Sequence, residues 1–432
     1  MPKRYQRDCG DDGQLASIEI GDDKGIEKKR QRKGASSTLG YDVVRPSDQD
    51  LQHLLDFSST SLTSSSAITS RFDEIASYLL HHARLICQTY LPDKSCSDSK
   101  SIDGTSTSTI IEEYEILEVE FYLIKTGIHE DPFTHGNEEQ RTSGQWYFHR
   151  APRPSAASPS YSASTNATSA GGYRGGTRKG LDLTLGTRAS ADPPVTSRFF
   201  SKASQSSTMA LADNIRGGVL LRSIRRVSDS HVVSGPSLLV DELLRVNNAP
   251  SIVDLVRTKW CGDISIFPSP NSSPSVGKSV SLFLKLAKRQ GTGSLDAPHI
   301  FKSPRIGLDL SNPSTQLTST DRRILYVSKP YRYFIHPHLL TSNGRGQTFL
   351  GIYEHLHTSG CFEEDEDIVE EIVGLTGMKT KSVVKYISDY NAGRASGHLR
   401  SFVGPSGKGA AASPASYLRM IGSLHRFLSP TA

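Results

Sequence analysis

Cysteine is scarce, with five in 432 residues. Cys9, Cys87, Cys96, Cys261 and Cys361 form no C-x-x-C pair and no metal-ligand spacing. This argues against a disulfide framework or a cysteine-based zinc site, and it fits a reducing compartment. Long apolar runs are also missing. With no N-terminal apolar h-region and no stretch of spanning length, the sequence predicts neither secretion nor a membrane span. Charge of one sign is hardly in excess: 50 Lys and Arg against 45 Asp and Glu leave a formal +5. Such a balance is compatible with nucleic acid and is weak evidence for it.

Apolar periodicity is missing from residues 1–70, which are rich in Ser, Asp, Lys and Arg. Residues 151–170 and 189–208 are Ser/Ala/Thr/Pro tracts. Such segments bury too little apolar surface to offset their ordering entropy. The expectation is a disordered tail over 1–70, one globular domain over 71–348 broken by two disordered loops, and a helical extension over 349–432. The basic residues gather at Lys28–Lys33, Arg174–Lys179, Arg222–Arg226 and Arg322–Arg332. Clusters of this kind either neutralise phosphates or form solvated faces. The first, K-K-R-Q-R-K, reads as a nuclear import signal and predicts a nuclear location.

What is present is an alternating strand. Ile116, Glu118, Glu120 and Tyr122 fall on one side, and Leu117, Val119, Phe121 and Leu123 on the other. That period of two predicts an antiparallel, half-solvated sheet with two carboxylates and a tyrosine on one face. His135 follows after a Gly/Asp/Pro loop, and then the aromatic strand Trp146–His149. Within Arg71–Tyr90, Phe72, Ile75, Leu79 and Leu80 have helical spacing, with Ser70 as the N-cap. Gly218–Ile224 reads as a buried strand. A helix follows from Ser234, with Leu238, Leu239, Leu243 and Leu244 as its core face. From Ile368 the chain reads helix, T-G turn, helix. Lys379, Lys381 and Lys385 there fit a helix-turn-helix reading head, and a helical hairpin packed on the domain fits as well.

Several short stretches, in order, resemble the methylpurine-DNA glycosylase (alkyladenine glycosylase) family. They are E-V-E-F-Y from Glu118, Y-R-G-G-T-R-K-G from Tyr173, V-L-L-R ending at Arg222, S-G-P-S from Ser234, P-R-I-G-L-D from Pro304 and K-P-Y-R-Y-F from Lys329. The resemblance covers about residues 70–335. It implies an α+β fold: a single mixed domain whose curved antiparallel sheet is surrounded by helices and carries a protruding DNA-binding hairpin. It also implies a monofunctional enzyme that flips an alkylated or deaminated purine out of duplex DNA and cleaves its N-glycosidic bond with an activated water. No metal or organic cofactor is implied. The partner is double-stranded DNA, and the enzyme acts as a monomer.

The resemblance gives each residue a role. Glu120 is the general base, and Arg222 holds the water or a phosphate beside it. Tyr122 and His135 stack on the flipped base. The third stacking residue is Tyr147 or His149, and Asp182 or Thr184 lies where the family has an asparagine that excludes guanine. Tyr173 is the counterpart of the residue that wedges into the duplex. The basic side chains Arg174, Arg178 and Lys179 face the phosphates. Read without the resemblance, Glu120 is an exposed strand carboxylate, Arg222 an edge-strand phosphate contact, and Glu118 either orients Arg222 or is solvated. His135 is then a loop histidine bonded to Asp131. Two other functions use the same residues: a non-catalytic DNA or chromatin-binding protein, and an N-glycosidic hydrolase of RNA or nucleosides.

Overall fold

The computed structural model describes residues 47–91, 108–151, 172–188, 214–268, 278–287, 297–340, 343–360 and 365–429. The fold is organised by one long strand, β2 (Ser108–Lys125). β6 (Ile215–Arg226) runs antiparallel along one side of it, from Tyr114 to Lys125. The other side is shared. β1 (Ala83–Leu91) pairs with its first half, up to Glu115, and β10 (Arg332–Phe334) takes over at Glu118–Glu120. Beyond β6 lie β5 (Leu181–Leu185) and β4 (Trp146–Phe148), and beyond β1 lies β8 (Val280–Leu286). Three short strands, β3 (His129–Glu130), β7 (Val232–Ser234) and β9 (Phe301–Ser303), complete an open ten-stranded antiparallel sheet. The mixed α/β class and the antiparallel sheet agree with the reading of the sequence.

The apolar face of β2 packs on α2 (Ser65–Ser77), where Phe72 stacks on Phe121 with ring centroids 4.5 Å apart. The helix start moves from the expected position. Ser64, not Ser70, caps α2, by accepting the amide of Ala67 at 3.1 Å. The helix ends in a π-turn at Tyr78–His82 and leads into the strand Ala83–Leu91. Leu85 and Cys87 are buried there, and β1 has pairing strands on both sides. His81 is satisfied by the carbonyl of Pro298 at 2.8 Å.

The expected tail also needs correcting. Residues 47–70 form α1 (Asp48–Leu54) and the first part of α2 and belong to the domain. Leu51, Leu55 and Phe57 are buried in the core. The import-signal cluster, the hairpin tip and nearly all of the two Ser/Ala-rich tracts lie outside the described residues. α3 (Pro236–Val246) buries Leu239 and Leu243 on the sheet, but Leu238 is exposed. α4 (Ile252–Asp254) and α5 (Arg322–Val327) are short.

The expected boundary at 348/349 falls inside α6 (Arg345–Ser359), so the C-terminal helices are not a separable extension. Gly351 of α6 lies so close to β9 that an added Cβ would meet the carbonyl oxygen of Lys302 at 2.2 Å. α7 (Asp365–Thr376), α8 (Thr380–Ser396) and α9 (Pro414–Leu428) follow. Gly393 and Gly422 let α8 and α9 pack backbone to backbone. Val383 and Tyr390 are buried in this packing, and Lys379, Lys381 and Lys385 are left exposed, which both readings of the helix pair allow. Among the described residues no helix is long and apolar enough to cross a membrane.

Candidate active site

Directly paired residues in a sheet share a face. One row therefore runs Tyr147, Asp182, Leu220, Glu120, Arg332, Ser303, across β4, β5, β6, β2, β10 and β9. A second, incomplete row places Thr184 and Gly218 beside Tyr122. The sheet thus gathers on one face residues that are far apart in the chain.

This face is not solvated as expected. Glu118 is 3% and Glu120 0% exposed. Buried carboxylates demand partners, and both have them. Glu120 Oε1 accepts the amide of Ile306 at 2.7 Å. Its Oε2 accepts the Tyr122 hydroxyl at 2.8 Å and Arg222 Nη1 at 3.3 Å. Glu118 accepts Arg332 Nε at 2.6 Å, Arg222 Nε at 3.1 Å and the Ser223 hydroxyl at 2.5 Å. Arg222 is therefore not an edge-strand phosphate contact. It bridges the two carboxylates, and Glu118 orients it.

A local irregularity makes this bridge. In a regular strand Arg222 and Ser223 would face opposite ways. Here the register of β2 against β6 shifts between Ile116 and Glu118 and again between Glu118 and Val119. Such bulges re-aim side chains, and both Arg222 and Ser223 reach Glu118. Burial raises the pKa of Glu118, but Arg332, Arg222 and the Ser223 hydroxyl outweigh it and hold the group below the usual carboxylate range. Burial also opposes the charge on Arg222, yet Glu120 and Glu118 leave its guanidinium more firmly protonated than usual. For Tyr122, burial and then the charge of Glu120 push the phenol up, so it is a hydrogen-bond donor.

Tyr122 is half-buried and held from one side by Arg305, whose guanidinium lies 4.5 Å from its ring centroid. Arg305 is itself fully buried and paired with Asp131 through Nη1 at 2.5 Å and Nη2 at 3.2 Å. The bond expected between Asp131 and His135 is replaced by this pair. Sequence reasoning missed Arg305, Arg332 and Asp131 as parts of the site. The P-R-I-G-L-D and K-P-Y-R-Y-F stretches marked their neighbourhood, but no pattern announces which arginine is buried.

On the neighbouring strands, His135, Tyr147, His149 and Asp182 form a second cluster. The His149 and His135 rings meet edge to face, centroids 4.4 Å apart. His149 Nε2 is 2.8 Å from Asp182 Oδ1. Tyr147 is buried and its hydroxyl meets the Asn137 amide; burial raises this phenol to about 12. His135 keeps an open edge to solvent, while its ring, shielded and next to His149, is held down to about 4. Because 4 lies below the ordinary 6.5, the unfolded chain takes up this proton first. Stability should therefore fall as pH drops from about 6.5 towards 4 and level off below, and His135→Gln should remove that component. Thermal melts across this range, with the imidazole shift followed by NMR, measure it.

His149 lies flat across β5 because residue 180 is glycine. A Cβ there would sit 2.5 Å from His149 Cε1. Gly180→Ala should swing the ring off Asp182 and cost about 1–3 kcal/mol, read from a denaturant melt and the His149 ring resonances.

The nominated DNA-contact residues divide. Arg178 is exposed, Arg174 donates to the carbonyl of Arg150 at 2.8 Å, and Lys179 pairs with Asp241. Tyr173, nominated as the wedge, is turned inward: it is packed on the core, with the Arg150 guanidinium 3.7 Å from its ring centroid. The Arg222–Arg226 run is not a free basic patch. Arg225 pairs with Glu115 and Arg226 with Glu242 and Asp229.

Among the described residues, His135, His149 and Asp182 form a group that could hold a metal ion. The other arrangement, Glu120 beside Tyr122 and Arg222, is suited to accepting a proton from a bound nucleophile.

No family model matches the chain, and no solved structure matches it. An uncharacterized protein of Acanthamoeba polyphaga mimivirus is similar to it, 28% identical over 222 residues, which is 51% of this chain and 76% of the viral protein.

Proposed function

We propose that the chain is a DNA glycosylase that releases alkylated or deaminated purines from duplex DNA and leaves an abasic site. The observation that carries this reading is the assembly of Glu120, Tyr122 and Arg222 on the sheet face that also carries Tyr147 and Asp182, with the rings of His135 and His149 packed beside Tyr147. These are the residues to which the sequence resemblance gives the catalytic and base-stacking roles. Glu120 takes the proton of a water as it attacks the sugar C1′, and Arg222, which donates to its Oε2, orients that carboxylate. The departing base rests against the aromatic and imidazole rings, each stack contributing about 1–3 kcal/mol. Flipping costs a few kcal/mol and least for a damaged pair, which supplies part of the selectivity. Tyr122 caps Glu120 Oε2, so its hydroxyl yields that position to the attacking water when substrate is bound.

The test uses duplexes with one hypoxanthine, ethenoadenine or 7-methylguanine. Incubation followed by alkali should shorten the marked strand for at least one lesion. No shortened strand from any of them, with DNA binding retained, would favour a non-catalytic DNA-binding protein. A second enzymatic reading rests on the carboxylate pairing of Arg225 and Arg226, which removes one basic cluster from the surface. It takes RNA or free nucleosides as the substrate of the same glutamate, and comparing duplex with nucleoside decides between the two.

A further inference from the structure

We propose that His135, His149 and Asp182 form a binding site for one divalent first-row transition-metal ion. The inference stands apart from the reading of Glu120 as a base and does not depend on it. The three residues come from three parts of the chain. Asp182 is on β5, His149 directly follows β4, and His135 is on the loop after β3. Their ligand atoms lie within 4.8 Å of one another.

Two of the three already meet through a hydrogen bond, whose proton a metal ion would replace. The gap between His149 Nε2 and Asp182 Oδ1 is 2.8 Å. With metal bonds of about 2.0–2.2 Å, that gap subtends roughly 85°. This is the angle between adjacent positions of an octahedron; a tetrahedral pair would sit about 3.4 Å apart. Two imidazoles and one carboxylate on one side of the ion, with the remaining positions open, is the facial arrangement that suits Fe²⁺ and its neighbours in the series. Mg²⁺ and Ca²⁺ prefer all-oxygen sites. His135 is on a loop and exposed, and its ligand atom lies within 4.8 Å of the other two.

The surroundings are built around the carboxylate. Asp182 is 2% exposed, and its second oxygen, Oδ2, is 3.4 Å from Gln140 Nε2. Gln140 is 1% exposed, and its own carbonyl accepts the amide of Asn137 at 3.2 Å. A buried amide held at both ends, and spent on orienting one carboxylate, is the outer-shell support that metal ligands require. Gly180 leaves the space in which the His149 ring lies. A coordinated ion would sit beside the exposed His135, with its open positions available to water or an electron-rich donor.

The test uses the full chain, stripped with chelator and titrated with Zn²⁺ against a chromophoric competitor, and with Co²⁺ while visible absorption is followed. The wild type should take up one Zn²⁺ per chain and give a Co²⁺ spectrum with nitrogen ligation. His149→Ala and His135→Gln should each weaken binding at least about 100-fold, and Gln140→Ala by about 10–100-fold. His135→Gln alters a partly open loop and should melt like the wild type, which separates loss of a ligand from loss of fold. His357→Ala, on α6, should bind normally. Absence of stoichiometric Zn²⁺ uptake by the wild type would overturn the proposal. So would binding that survives both His135→Gln and His149→Ala.

Discussion

Glu120→Gln is expected to abolish base release while the chain stays folded. General-base assistance contributes about 10²–10⁴-fold, and an amide cannot accept the proton. The substitution is isosteric, and the new side chain still offers an oxygen to the amide of Ile306, which now meets Glu120 Oε1 at 2.7 Å. What changes is the contact at Oε2, where an amide NH₂ would face Arg222 Nη1 and the Tyr122 hydroxyl. Losing a hydrogen bond to a charged group costs about 1.5–3 kcal/mol. Arg222 retains Glu118 as a partner, so the guanidinium is not left unpaired. The measurement is single-turnover base release from a lesion duplex, wild type against variant, beside a thermal melt. Equal rates in the two proteins would refute the assignment of Glu120 as the base. A lower melting temperature with residual rate scaled to the folded fraction would mean that Glu120 is structural.

The largest expected effect on stability is from Asp131→Ala. Arg305 and Asp131 are both 0% exposed. Removing one partner of a buried pair strands the other charge and costs about 3–5 kcal/mol. By contrast Arg322 and Glu130 form an ion pair with the arginine side chain 64% exposed, and breaking it should cost under about 1 kcal/mol. At roughly 2–4 °C per kcal/mol for a domain of this size, the melting temperature of Asp131→Ala should fall by roughly 10 °C. The variant should also loosen Tyr122, because the guanidinium beside its ring is held by Asp131. Fluorescence or NMR of the ring reports that change. An Asp131→Ala melt within 1 °C of wild type would show that Arg305 is satisfied by the Phe121 and Tyr326 carbonyls alone.

The two variants probe different links between structure and function. Glu120 acts on the substrate, whereas Asp131 acts through Arg305 and then Tyr122. If both are made, their effects on stability should add only in part, since Glu120 and Arg305 both contact Tyr122.

The sequence by itself determined the central strands. β2 was legible because Leu117, Val119, Phe121 and Leu123 alternate with Glu118, Glu120 and Tyr122, and a strand is the conformation that separates them onto two faces. The residue types and the resemblance offered Glu120, Tyr122, His135 and Arg222 as candidates as well. Tertiary structure decided what each of them touches. The polar face of β2 looks solvent-exposed in the sequence, yet it is covered, because the Ile306 amide and Arg332, about 200 positions away in the chain, bond to Glu120 and Glu118. A one-dimensional pattern records which side a residue faces and not what is laid over it. The same holds for the register shift that turns both Arg222 and Ser223 onto Glu118, and for His135, His149 and Asp182, whose spacing in the chain carries no metal signature. The sheet brings them together because its hydrogen bonds join strands that are far apart in the chain, and side-chain chemistry then depends on which strands are neighbours.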